Sequence, residues 1–128
     1  MVEKFDVITR EKGVKLVVPA GELDHWKGTP KLERTLAQFE GILRVRLIVD
    51  FHATTYMCSA AAASLVHFSE KLKKNGGELF CCRFSAAVKD VMDVLDIPEV
   101  VRCFDSLEDA VAAAAAAVEE KQPPPGPS

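Results

Sequence analysis

The segment from Arg44 to Phe51 limits the possible folds more than any other part of the chain. It places Val45, Leu47, Ile48 and Val49 within five positions. A strand with one wet face alternates apolar and polar residues, because successive side chains point to opposite faces. This run does not alternate, so it predicts a strand inside a sheet that is covered on both faces. Leu79-Phe80-Cys81-Cys82 has the same character. Between the two lies a helical pattern from about Ser59 to Lys74. Ala61, Leu65, Phe68 and Leu72 recur on one side at four-three-four spacing, with His67, Glu70, Lys71 and Lys74 on the other. Strand, helix, strand in this order implies parallel strands with helices packed on them.

The rest of the chain extends the pattern. Phe5 to Thr9 and Val14 to Pro19 read as strands joined by the turn Arg10 to Gly13, which predicts an opening β-hairpin. Gly21 to Gly28 reads as a loop, irregular from His25 to Gly28. Thr29-Pro30 then opens a helix with Leu32, Leu36 and Phe39 inward and Lys31, Arg34, Thr35 and Gln38 outward, and Gly41 stops it. Asn75-Gly76-Gly77 closes the second helix. Ser85 caps a third, whose core face is Val88, Val91 or Met92, and Leu95. Val100 to Phe104 is a short last strand after Pro98. Ser106-Leu107-Glu108-Asp109 resembles a capping box that opens a final alanine-rich helix. The expected fold is therefore α/β: a mixed, mostly parallel central sheet of about five strands with about four helices. It occupies residues 1–121, and the Pro-rich residues 122–128 form a disordered tail.

Charge and composition exclude several functions. The net charge of −3 leaves no basic footprint for nucleic acid. No apolar run is long enough to cross a bilayer, no signal-peptide pattern opens the chain, and the start Val2-Glu3-Lys4 is charged, so a cytoplasmic protein is expected. The four cysteines, Cys58, Cys81, Cys82 and Cys103, have no zinc spacing and no CxxC, which suits reduced thiols and predicts no metal. His25, His52 and His67 form no nucleophile–base–orienter spacing with Ser59, and no Gly-rich phosphate loop is present. A protein without enzymatic activity or cofactor is expected.

Ser59 is the first candidate for function. It follows the loop His52 to Cys58 and opens the alanine-rich second helix, in the position of an N-cap. The positive end of the helix dipole favours a negative group there, so a phosphate on this hydroxyl would be well placed. The alternative is that Ser59 serves only as a cap. The loops Gly21 to Gly28 and His52 to Cys58 each follow a strand and are expected at one end of the sheet, where function gathers in α/β folds.

Three segments carry a family resemblance. They are Gly21-Glu22-Leu23-Asp24 after the second strand, Tyr56-Met57-Cys58-Ser59-Ala60-Ala61 before the second helix, and Asn75-Gly76-Gly77-Glu78-Leu79 followed by Ser85-Ala86-Ala87-Val88-Lys89. In this order and spacing, from about Phe5 to Ala117, the chain resembles the STAS domain family of anti-sigma factor antagonists. The resemblance implies a small bacterial regulator that binds an anti-sigma factor or related serine kinase. It also implies a serine, here Ser59, that the kinase phosphorylates and a phosphatase restores. By the same likeness the partner surface is expected at Glu22, Asp24, Trp26, Tyr56, Met57, Cys58, Ser59 and Ala60. The sequence departs from the family motif in three places. Cys58 replaces its aspartate, Ala60 its next hydroxyl and Ala61 its glycine. Two other functions stay open beside this one: an assembly module that is never phosphorylated, and a thiol sensor at Cys58, since a helix N-terminus can activate a cysteine. Asp24 has the alternative role of a turn cap.

Overall fold

The computed structural model describes residues 4–120. Five strands form the main sheet: β1 (Asp6–Thr9), β2 (Lys15–Val18), β4 (Arg46–Asp50), β6 (Glu78–Cys82) and β7 (Arg102–Phe104), in that spatial order. β1 and β2 are the antiparallel hairpin, and every other pairing is parallel. The helices are α1 (Gly28–Ala37), α2 (Ser59–Lys74), α3 (Ala86–Val94) and α4 (Leu107–Glu120).

β4 is buried at all five positions, as its lack of alternation requires. Leu47 and Val49 join the larger core beneath α1, α2 and α3, while Ile48 joins Val14, Leu16 and Phe80 beneath α4. Ala110, Ala114 and Ala117 line the inner face of α4, so the helix lies close on the sheet. The predicted stripe of α2 is buried throughout. Ser85 accepts a hydrogen bond from the Val88 amide and Ser106 one from the Asp109 amide, which gives α3 and α4 their expected caps.

Several expectations are corrected. The two candidate loops are not loops throughout. Their inner parts are strands β3 (Gly21–Leu23) and β5 (Thr54–Met57), which pair with each other in parallel beside the main sheet. Helix α1 begins at Gly28 and not after a Thr29 cap. Thr35 is buried, because its hydroxyl accepts from the Phe5 amide at 2.8 Å and donates to the Lys31 carbonyl. The interior here needs a polar group to satisfy the chain entering β1. Leu95 is exposed: α3 ends at Val94, and the helical period that aimed Leu95 inward stops with it. The proposed tail, residues 122–128, lies outside the described residues.

Candidate functional site

The β3–β5 ribbon joins the two predicted loops into one surface. Glu22 pairs with Tyr56 and Leu23 with Met57. The Gly21 amide donates to the Ala53 carbonyl and the Cys58 amide to the Leu23 carbonyl, each at 2.9 Å. The start of α2 is thus tied to the residue before Asp24.

Asp24 organises the turn that follows. Its Oδ1 accepts from the amides of Lys27 at 2.8 Å and Gly28 at 2.9 Å, and its carbonyl accepts from Thr29. These bonds serve the first amides of α1, which lack partners within the helix. The Gly28 amide, then that of Lys27, holds the Asp24 carboxyl below its ordinary pKa. Gly28 has no room for a side chain: a Cβ there would stand 2.0 Å from the Glu22 carbonyl oxygen. Trp26, at the tip of this turn, is 86% exposed.

Cys58, not Ser59, is the N-cap of α2, with extended backbone (φ −85°, ψ 165°) and no side-chain cap bond. The thiol is buried, 3.4 Å from the Thr29 hydroxyl. Ser59 is the first helical residue and is exposed. The displacement by one residue follows from the Cys58 amide, whose bond to β3 keeps that residue extended.

Between this helix start and α3 runs a groove of about 350 Å³. Tyr56 and Ser59 stand on one side, Met57 and Cys58 form the floor, and Asp90, Val91, Val94 and Leu95 form the facing wall. Val94 is 79% exposed, and Tyr56 and Leu95 are also exposed, so the rim is apolar and open to solvent. Met57 is 1% exposed and Cys58 4%, so little of either expected partner contact reaches solvent in the free chain. They support the surface from beneath. Ala60 is half-buried against the core. Glu22, Trp26, Tyr56 and Ser59 are the predicted residues that are exposed, and Asp24 is partly covered.

The α3 wall was missed by sequence reasoning. Its signal was an apolar stripe wider than one core face, since Val94 and Leu95 continue past Val88 and Met92. Also unforeseen is a charged cluster at the ends of β4 and β6. Asp50 has no exposed surface, and Arg83 bonds both its oxygens through Nε and Nη2. His52 stands 3.1 Å away through Nδ1, and its amide donates to Asp50 Oδ1. Burial on its own would raise the Asp50 pKa. The bonds from Arg83 and the His52 amide outweigh it and hold the carboxyl below its ordinary value. Among the described residues, no three His, Cys, Asp or Glu side chains are grouped as metal ligands, and no helix is long and apolar enough to cross a membrane.

The sequence pattern of the STAS domain matches residues 7–110. The chain belongs to the STAS domain family. The fold agrees with solved members. An anti-sigma-factor antagonist (STAS) domain protein from Planctomyces limnophilus superposes with a TM-score of 0.73 at 19% identity, over 88% of this chain and 98% of that one. The unphosphorylated anti-sigma factor antagonist SpoIIAA gives 0.66 at 17%, over 88% and 96%. Murine Slc26a9, an anion transporter, gives 0.63 at 21%, over 81% of this chain but 18% of the transporter. At these identities the likeness is one of fold. A search of curated proteins finds no match. The STAS fold is thus found both in small antagonists and as part of a much larger chain.

Proposed function

We propose that this STAS domain works as an anti-sigma factor antagonist. It binds an anti-sigma factor or switch kinase through the surface formed by Trp26, Tyr56, Ser59 and the α3 wall, and does so by docking, not catalysis. The observation that carries the reading is the position of Ser59, exposed on the rim of an open apolar groove at the positive end of α2. Exposed apolar groups beside a modifiable hydroxyl suit a partner surface that one charge can disrupt.

Phosphorylation of Ser59 would add about −1.5 to −2 charges. The helix end tolerates that charge in the free protein. In a complex the phosphate would have to be desolvated, and it would share the groove with the Asp90 carboxylate. Release then needs no refolding. A cytoplasmic setting and a phosphatase that restores the serine complete this reading.

The replacement of the motif aspartate by Cys58 favours a second reading, an assembly module that binds without being switched. The buried Cys58 thiol gives little support to a sensor at that position. The test is binding to candidate anti-sigma kinases, with and without ATP, for the unsubstituted chain, Ser59→Ala and Ser59→Asp. An antagonist binds as wild type and as Ser59→Ala, loses binding as Ser59→Asp, and takes up phosphate only when Ser59 is present. Equal binding by all three leaves the assembly module. No binding to any such kinase removes the antagonist reading.

A further inference from the structure

Cys81 and Cys103 are register partners on the adjacent parallel strands β6 and β7. Register partners in a sheet present their side chains to the same face. Cys81 lies in the core beneath α1 to α3, and Cys103 packs against that same core. Their neighbours Cys82 and Phe104 face the opposite core. Adjacent strands run about 4.8 Å apart. That lies inside the roughly 4.4–6.8 Å between Cα atoms that a disulfide spans. β7 is a three-residue edge strand, so it has freedom to make the small adjustment that joining the sulfurs requires.

Access differs between the two thiols. Cys81 has no exposed surface. Cys103 is half-buried and lines an open cavity of about 240 Å³ between α3 and β7, together with Phe84, Met92 and Pro98. An oxidant therefore reaches Cys103 first, with Cys81 behind it as the resolving thiol. Cys58 is only 4% exposed, with its thiol 3.4 Å from the Thr29 hydroxyl, and it is no register partner of either cysteine.

We propose that Cys81 and Cys103 are a redox-responsive pair that hydrogen peroxide closes to an intramolecular disulfide. In the first step the Cys103 thiolate attacks one peroxide oxygen, the O–O bond breaks, and the departing hydroxide takes up a proton to become water. Cys103 is then a sulfenic acid. In the second step the Cys81 sulfur attacks the Cys103 sulfur, the S–O bond breaks, and hydroxide leaves with the Cys81 proton as a second water. Two thiols lose two electrons in total, and one peroxide is reduced to two waters. The new bond ties the edge strand under α3, whose outer face walls the docking groove.

Burial, aided by Asp93, raises the Cys103 pKa to about 11, and burial raises Cys81 well above the ordinary thiol value. The reaction is therefore slow at neutral pH. It accelerates roughly tenfold per pH unit while the thiolate is the minor form. This steep dependence distinguishes the pair from an activated catalytic thiol.

The test exposes the reduced full-length chain to hydrogen peroxide at several pH values, then alkylates and digests it with trypsin. The expected product is a monomer that has lost two hydrogen atoms. Its peptide 75–83 is joined to the peptide beginning at Cys103, and fragment ions place the bond at Cys81 rather than Cys82. Cys103→Ser, at a half-buried position, abolishes the product, and its rate rises with pH. A bond through Cys82 or Cys58, a disulfide-linked dimer, or Cys103 oxidised to sulfinic acid without a cross-link overturns the proposal.

Discussion

Asp50 carries a carboxylate with no exposed surface, and Arg83 is what makes that tolerable. Arg83 takes a left-handed backbone conformation (φ 58°) just after β6, which brings its guanidinium back over the end of β4. Removing one partner of a buried pair leaves an uncompensated charge. Because the Arg83 side chain is 38% exposed, we expect Arg83→Met to cost about 3 kcal/mol at pH 7, the low end for such pairs. The pH dependence has a definite sign. In the unsubstituted chain the folded carboxyl titrates below its unfolded value of 3.8, so its contribution is present above that pH and is lost as pH falls through the folded pKa. In Arg83→Met burial dominates and raises the folded pKa, so protonation relieves the variant as pH falls. Denaturation in urea at pH 7 and pH 4.5 should show the gap between the two proteins shrinking on acidification. A constant gap would mean that Asp50 does not depend on Arg83. Trp26 belongs to the same scale. Being the sole tryptophan and exposed, it should emit like indole in water and be readily quenched by acrylamide. Trp26→Ala should leave stability within about 0.5 kcal/mol. If Trp26 anchors the partner, the same change should weaken binding by about 2 kcal/mol in calorimetric titration. Unchanged affinity would remove Trp26 from the interface.

At the level of elements, the site depends on how α1 is seated. Gly28 lets the first turn of the helix lie against the backbone of β3, and Asp24 supplies the bonds that close the turn. A methyl at residue 28 meets backbone atoms of Glu22 and Leu23, which cannot rotate aside as a side chain can. Gly28→Ala should therefore cost roughly 3 kcal/mol, the upper range for overpacking, and should disturb the β3–β5 ribbon. Chemical denaturation measures the first effect and amide exchange at Leu23 and Cys58 the second. Wild-type stability would show that α1 is not held this closely. α3 illustrates a different element-level feature: a short helix whose inner residues, Val88 and Met92, hold it to the core while Val94 and Leu95 stay exposed along the groove.

For the whole molecule, the sheet separates two cores of unequal size, and α4 covers the smaller one. Arg46 links this cover to β4: its guanidinium donates to the Arg44 carbonyl and, at 3.3 Å, to the Ala117 carbonyl near the end of α4. Deleting everything after Asp105 would expose Leu16, Ile48, Phe80 and Cys82 together. Such a truncated chain should bind a hydrophobic dye and lose cooperative thermal unfolding, as expected when a buried sheet face is opened to water. Sharp unfolding without dye binding would show that the larger core suffices alone.

The sequence by itself determined the layers. Continuous apolar runs at β4 and β6, helical periods between them and cap residues at Ser85 and Ser106 are local patterns that depend on neighbours along the chain. It also carried the family motif around Ser59 and so located the candidate surface. Tertiary structure decided what periodicity does not encode. β3 and β5 are strands only because each supplies the other's hydrogen bonds across about thirty residues. Thr35 turned inward to satisfy the Phe5 amide, and Leu95 turned outward because its helix ended one residue earlier. Asp50 became a buried charge answered by Arg83. In each of these cases the deciding partner is remote in sequence or depends on where an element stops. A residue's polarity shows that it needs a partner, and only the folded chain shows which partner it has.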